Sequence, residues 1–182
     1  MKKILKQNKG FSLIELLVAI LIMAVIAGTA IMLFGGVLSS SRESADNETA
    51  ENLKRAILTY MNMTNDTNLS CLGVTSSSSI TASDLINKLS CRIKIEDDKV
   101  TFTVPANLTD KITQPTVQDP KIDGSDIRSE YGPFLDGSKN MNPQTPGKNG
   151  WKIVIDEKAQ VVTVEASDSD ENIEINAAES GG

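Results

Sequence analysis

The sequence has no histidine, and its 182 residues include only two cysteines, six prolines and 4% aromatic residues. Without histidine, Ser-His-Asp and Cys-His nucleophile systems, histidine zinc sites and histidine pH switches are excluded. Two thiols are too few for a disulfide scaffold or a four-thiolate metal site. No Walker motif or dinucleotide-binding fingerprint occurs either. We therefore expect a protein that is not an enzyme and that has no catalytic residue, metal or cofactor.

Charge is distributed unevenly along the chain, whose formal net charge is −6. Residues 2–9 contain four lysines and no acid, whereas residues 11–38 contain a single charged side chain, Glu15. After Ser39 there are 14 basic and 23 acidic residues, a net charge of −9. A protein that binds nucleic acid by neutralising phosphates normally has the opposite sign, so we expect no autonomous nucleic-acid binding.

Residues 11–38 form an apolar run of 28 residues, FSLIELLVAILIMAVIAGTAIMLFGGVL. As a helix it would be roughly 42 Å long, which exceeds the ~30 Å hydrocarbon core of a bilayer. The preceding lysines favour a single membrane pass with the N-terminus in the cytoplasm and the acidic remainder outside. A secretory signal peptide fits less well, because its apolar region is usually about 7–15 residues long. On hydropathy alone, a plain membrane anchor is the simplest interpretation.

Glu15 is the exception within the apolar run. A charged side chain at the centre of a membrane helix costs roughly 2.5–3.5 kcal/mol on insertion scales, and less near the interface. The chain offers no basic residue after Glu15 until Arg42. Either the carboxylate is partly hydrated near the lipid headgroups, or another chain supplies its positively charged partner.

The segment KGFSLIELLV, residues 9–18, resembles the processing site of type IV pilins and pseudopilins. That pattern is a short basic leader ending in glycine, a phenylalanine, a glutamate four residues later and an unbroken apolar helix. The resemblance implies that a prepilin peptidase removes a leader, residues 1–10, by cutting between Gly10 and Phe11, and then methylates the amine of Phe11. It also implies that Glu15 pairs with the Phe11 amine of a neighbouring subunit in a filament.

One departure from the family pattern concerns the apolar helix, which many pilins interrupt with a proline. Here no proline precedes Pro105, and Gly28, Gly35 and Gly36 lie in the helix instead. Glycine costs about 1 kcal/mol against alanine within a helix, so these residues favour local unwinding. Close packing through small residues explains them equally well.

The helix is expected to continue beyond the membrane as an amphipathic segment, residues 39–62. Apolar or small side chains recur there at helical spacing, and the other face is charged. The stripe comprises Ala45, Thr49, Leu53, Ala56, Ile57, Tyr60 and Met61. Together with residues 11–38, this predicts one helix of about 50 residues.

The remainder, residues 63–182, is predicted to be a globular head. Helical and alternating patterns predict a short helix over 81–89, a hairpin with arms 91–95 and 99–104, a loop-rich segment 105–150, a hairpin with arms 151–155 and 160–165, and an acidic tail 167–182 with one edge strand at Ile173 and Ile175. This order predicts an α+β fold in which a long N-terminal helix packs on an antiparallel sheet, and it resembles the type IV pilin fold.

The two cysteines, Cys71 and Cys91, lie outside the cytoplasm in this topology, where an oxidising compartment permits a disulfide. We favour a bridge between them, which would close a loop of ~20 residues and contribute roughly 3 kcal/mol. Two small buried thiols are the alternative. The acidic residues from Asp119 to Glu130 do not have the spacing of an EF-hand, and we favour a solvated loop over a calcium site.

The resemblance implies a structural subunit that forms a homopolymer with other pilin subunits. Its implied partners are the membrane before assembly, the prepilin peptidase, and an assembly platform with its ATPase. The product would be an extracellular pilus that supports adhesion, twitching motility or biofilm formation. A pseudopilin of a type II secretion or DNA-uptake system carries the same N-terminal signal. A membrane-anchored surface binding protein that does not polymerise is the alternative from another class.

Overall fold

The computed structural model describes residues 11–74, 80–96, 99–112, 116–118 and 129–176 of the chain. The chain divides into two compact units, Met1–Ser41 and Arg42–Gly182. The predicted leader, residues 1–10, lies outside the described residues.

Helix α1 is Leu13–Thr64, a continuous helix of 52 residues that confirms the predicted long helix. Before Ser39 its large apolar side chains are all exposed, with Phe11 just ahead of the helix at 83%. Gly28, Gly35 and Gly36 lie within the helix, and a Cβ at any of them would meet open space. No contact within the described chain therefore requires glycine at these three positions.

From Arg42 onward, α1 buries most of the predicted stripe, with Ala45 and Thr49 half-buried, and exposes most of its charged face. The buried apolar side chains are Leu53, Ala56, Ile57, Tyr60 and Met61. Full burial of a leucine or isoleucine contributes about 1.5–3 kcal/mol, so this half of the helix is fixed mainly by packing. The helix ends where Asn65 adopts a left-handed conformation with φ of 56°.

A second helix, α2 (Ala82–Leu89), confirms the short helix predicted over 81–89. Thr81 is its N-cap, and the Thr81 hydroxyl accepts a hydrogen bond from the Asp84 backbone N–H at 3.3 Å. Leu85 and Leu89 are buried in the same apolar core as the second half of α1. A 3₁₀ turn, Ser70–Leu72, precedes this helix.

Within the described residues, seven strands form two sheets. They are β1 (Arg92–Glu96), β2 (Lys99–Thr103), β3 (Thr116–Gln118), β4 (Ser129–Tyr131), β5 (Gly150–Asp156), β6 (Val161–Ser167) and β7 (Glu174–Asn176). The first sheet is antiparallel with the order β3-β2-β1-β4. The second has the order β6-β5-β7, with β5 antiparallel to β6 and parallel to β7. The fold is therefore α+β, a long helix packed through its second half against mixed and antiparallel sheets.

Both predicted hairpins are confirmed, because β1 pairs with β2 and β5 pairs with β6. Their inward residues alternate as the sequence pattern requires, for example Ile93 opposite Phe102 and Ile95 opposite Val100. Strands β3 and β4 lie in the segment predicted to be mostly loop. Each has only three residues, and neither carries an alternating apolar pattern in the sequence.

Candidate assembly segment and the head loop

The first turn of α1 is formed by the sequence Ser12-Leu13-Ile14-Glu15. The carbonyl of Ser12 accepts hydrogen bonds from the backbone N–H groups of Glu15 at 3.0 Å and Leu16 at 3.2 Å. A serine followed three residues later by glutamate is the capping-box sequence that favours a helix start. An acid in the first turn also interacts favourably with the positive end of the helix dipole. Glu15 thus has a local helical role whatever else it does.

The Glu15 side chain is exposed, at the N-terminal end of the exposed apolar half of α1. Within the described part of the chain it has no salt-bridge partner. Gly10 lies outside the described residues, so the predicted cleavage junction has no described geometry. The segment therefore combines one carboxylate without an ion-pair partner in the described chain with a long apolar surface that the chain itself does not cover.

Length and composition make α1 the one stretch of the described residues that is suited to cross a membrane. No part of its most apolar stretch is buried, unlike the core helix of a soluble protein, which is mostly buried. The exposed N-terminal half is compatible with membrane anchoring as expected from the sequence.

Asp46, on the second half of α1, is a buried carboxylate with only 4% exposure. One oxygen accepts a hydrogen bond from the Gln144 backbone N–H at 2.6 Å, and the other accepts one from Thr145 N–H at 2.9 Å. Burial raises the pKa of Asp46, but hydrogen bonds from Thr145 and Gln144 outweigh burial and lower it overall. A charged Asp46 therefore ties the helix to the segment that follows β4.

That segment, residues 132–149, is named the head loop. Its backbone is held by groups from several elements. The carbonyl of Leu89 accepts hydrogen bonds from Phe134 N–H at 2.9 Å and Leu135 N–H at 3.3 Å. The indole N–H of buried Trp151 donates to the Met141 carbonyl at 2.6 Å. A loop fixed at both of these points and at Asp46 is ordered despite its lack of regular secondary structure.

A second buried carboxylate, Asp66, organises the exit from α1. Its oxygens accept hydrogen bonds from the Tyr60 hydroxyl at 2.5 Å and from the backbone N–H groups of Ser70 at 2.9 Å and Cys71 at 3.0 Å. Burial, followed by the nearby Asp66 charge, raises the pKa of Tyr60 well above its ordinary value. The cluster serves to satisfy buried polar groups where the chain turns.

Both cysteines are free and buried in the structure, so the disulfide expected from the sequence is not formed there. The Cys91 thiol donates to the Asn87 carbonyl at 3.3 Å, and burial raises the pKa of Cys91 to about 11. Burial, followed by the Asp66 charge, also raises the pKa of Cys71. The structure therefore has the alternative that the sequence left open, two buried thiols that are poorly ionised at neutral pH.

Lys88, on α2, is a buried cation. It is 3% exposed, and its ammonium group donates to the Leu72 carbonyl at 2.7 Å and lies 5.5 Å from the centre of the Phe102 ring. Burial lowers the pKa of Lys88, and the carboxylate of Asp84 partly offsets this. Lys88 thus joins α2 to the 3₁₀ turn and to β2.

The acidic loop contributes little to the described structure, because residues 119–128 lie outside it. Glu130 is exposed on β4, and its carboxylate is 4.0 Å from the guanidinium of Arg92. Across the parts of the chain that are described, no group of three or more acidic or cysteine side chains is placed to hold a metal.

Comparison with known proteins identifies the N-terminal segment. Residues 5–31 match the family model for the prokaryotic N-terminal methylation motif, the signal of type IV prepilins and pseudopilins. The match spans the predicted junction, Glu15 and most of the apolar run. No curated protein and no solved structure was found to match the chain. The chain thus carries a type IV pilin-like signal, and its α+β architecture is consistent with the type IV pilin fold.

Proposed function

We propose that this chain is the structural subunit of a type IV pilus. The observation that carries the proposal is the methylation motif at the start of a helix whose first half exposes an unbroken apolar surface. Such a surface needs lipid around it before assembly and other apolar helices afterwards. The second half of the same helix is already covered by the acidic head.

Processing would give Glu15 its missing partner. Cleavage after Gly10 turns the neutral amide of Phe11 into a positively charged amine, and methylation of that amine leaves the charge in place. The amine of one subunit and Glu15 of its neighbour then neutralise each other where neither is well solvated. Because an unpaired charge penalises a misplaced subunit, the pair sets the register between helices more than it adds stability.

The proposed pathway starts in the cytoplasmic membrane, with the lysine-rich N-terminus inside and the head outside. A prepilin peptidase removes residues 1–10, and an assembly platform driven by an ATPase adds the mature subunit to an extracellular filament. Adhesion, twitching motility and biofilm formation are the outputs we expect of that filament. The chain is a substrate of these enzymes and has no catalytic role of its own.

The proposal is tested by Glu15→Gln, which keeps the capping-box pattern and removes only the charge. In cells with this variant as the sole copy, we expect normal membrane insertion and at least a tenfold loss of sheared surface filaments. Glu43→Gln is the matched control, because Glu43 is an exposed acid on the same helix within the head. Undiminished filaments built from Glu15→Gln alone would contradict the proposed pairing.

A pseudopilin role is the second candidate, because the methylation motif is common to prepilins and pseudopilins. Quantitative mass spectrometry of sheared filaments separates the two. The chain as the bulk component supports the pilus subunit, and a trace amount in short fibres supports the pseudopilin. A chain that keeps residues 1–10 and stays monomeric would instead be a membrane-anchored surface binding protein.

A further inference from the structure

A cleft of about 520 Å³ opens on the head between α2, the segment after β2 and the head loop. This volume is within the usual range of small-molecule sites, about 300–1,000 Å³. Most of the lining side chains are polar, and they are Ser83, Asn87, Ser90, Asn107, Lys111, Ser138, Lys139, Asn140 and Asn142.

The cleft differs in charge from the rest of the head. It is lined by two lysines and no acid, whereas the chain after Ser39 has a net charge of −9. Lys111 and Lys139 are both exposed, and neither forms a salt bridge to another described residue. Asp136 accepts hydrogen bonds from the Ser138 hydroxyl at 2.7 Å and the Ser138 N–H at 3.0 Å, and its charge also interacts with that of Lys139. Because both lysine side chains are exposed, an anion can reach both ammonium groups.

Several neutral polar groups in the cleft also lack a partner. The side-chain amides of Asn87 and Asn142 and the hydroxyl of Ser83 make no hydrogen bond within the described residues. An amide both donates and accepts, which suits the hydroxyl groups of a sugar or polyol. The lining thus offers contacts for hydroxyls beside contacts for a negative charge.

The walls of the cleft are held in place before any ligand arrives. The side-chain amide of Asn107 donates to the Gly137 carbonyl at 2.7 Å, which joins the segment after β2 to the head loop. A Cβ at Gly137 would be 2.8 Å from Leu108 Cδ1 and 3.1 Å from Ser90 Cβ, so the head loop packs closely on both residues at this point. Because little of the site must be ordered on binding, little affinity is lost to that ordering.

We propose that this cleft binds an acidic saccharide, with Lys111 and Lys139 contacting its carboxylate and the asparagine amides contacting its ring hydroxyls. Such a site would lie on the outward, non-cytoplasmic part of the chain in the proposed topology. It would not depend on filament assembly, since every residue of it belongs to the head.

The test is isothermal titration of the full-length protein in a polyoxyethylene detergent, which contains no sugar group. Glucuronic acid and glucose are the paired probes, because they differ only in the carboxylate. We expect glucuronate to bind at least tenfold more tightly than glucose. Lys111→Ala combined with Lys139→Ala should weaken glucuronate binding about tenfold or more, as expected for lost charge-assisted hydrogen bonds.

Lys158→Ala is the matched control, because Lys158 is an exposed lysine in the turn between β5 and β6, away from the cleft lining. It should leave glucuronate affinity unchanged, which would exclude a general effect of net charge. Equal binding of the two sugars, no binding of glucuronate, or tighter binding of inorganic phosphate would overturn the proposal. An equal loss of affinity in Lys158→Ala would overturn it as well.

Discussion

The two halves of α1 differ in how their apolar residues are arranged, although they belong to one continuous helix. Before Ser39 apolar side chains surround the helix and all the large ones are exposed. After Arg42 they form a stripe, and the stripe is buried against the head. One domain can cover an apolar stripe on a helix, whereas a helix that is apolar on all sides needs lipid or several other helices around it.

The same contrast holds for the two acids that break the apolar pattern. Glu15 is exposed and has no salt-bridge partner among the described residues, whereas Asp46 is buried and accepts two backbone hydrogen bonds. The carboxylate in the head is satisfied by folding alone. The Glu15 carboxylate, in the apolar half, is proposed to find its positively charged partner on another chain.

Paired leucine substitutions give the largest expected difference between the halves. Leu53 is 0% exposed and Leu21 is 58% exposed, both on α1. Leu53→Ala should lower the free energy of unfolding of the head by about 2–5 kcal/mol, because it leaves a cavity in the core. Leu21→Ala should change that free energy by less than about 0.5 kcal/mol.

The measurement is denaturant unfolding of the full-length protein in detergent, followed by the fluorescence of the single tryptophan, Trp151, which is buried in the head. Equal destabilisation by the two substitutions would mean that the apolar half packs on the head. That result would contradict the proposed difference between an uncovered first half and a buried second half of α1.

Asp46→Asn tests the polar side of the comparison. An asparagine retains one acceptor oxygen where the carboxylate uses two, so the backbone N–H of Gln144 or of Thr145 loses its partner. We expect a loss of about 1–3 kcal/mol in the free energy of unfolding. Glu48→Gln is the control, because Glu48 is an exposed acid on the same helix, and it should be close to neutral.

The pH dependence of stability sharpens that result. Because the folded state lowers the pKa of Asp46 from its ordinary value of 3.8, its charge stabilises the head fully above that value. The contribution is lost as pH falls from about 3.8 through the lower folded-state value. The stability difference between the protein and Asp46→Asn should therefore shrink in acid; a difference that stays constant to pH 2 would refute the role assigned to the charge.

The smallest expected effect is the reactivity of the thiols. Since burial raises the pKa of both Cys71 and Cys91, neither should be alkylated in the native protein near pH 7, and both should react after unfolding. Mass spectrometry without reductant measures which of the two cysteines has been alkylated. Peptides carrying Cys71 and Cys91 in covalent linkage would instead support the disulfide expected from the sequence.

Much of the fold was predictable because it rests on local periodicity. The long helix, α2 with its Thr81 cap and the two hairpins each follow a pattern within about 10–50 consecutive residues. The strand at Ile175 was also predictable, although its parallel pairing with β5 was not. Strands β3 and β4 were missed, since neither has the alternating apolar pattern that Ile173 and Ile175 provide around β7.

The polar features of the head were not predictable for a different reason. No local signal marks Asp46 as a buried carboxylate, because its partners Gln144 and Thr145 lie 98 and 99 residues later. The Lys88 ammonium group can be buried because it contacts the Leu72 carbonyl and the Phe102 ring. These two groups come together only in the folded chain. The N-terminal methylation motif was recognisable from the sequence, because it is a local pattern within residues 5–31.

The central claim is that the apolar half of α1 is processed and then covered by other copies of the chain. Intact-mass and N-terminal sequence analysis of filaments sheared from cells tests it most directly. The account predicts a chain that begins at a methylated Phe11 and forms the bulk of the filament. Recovery of the chain only as a membrane-bound monomer that still carries residues 1–10 would contradict it.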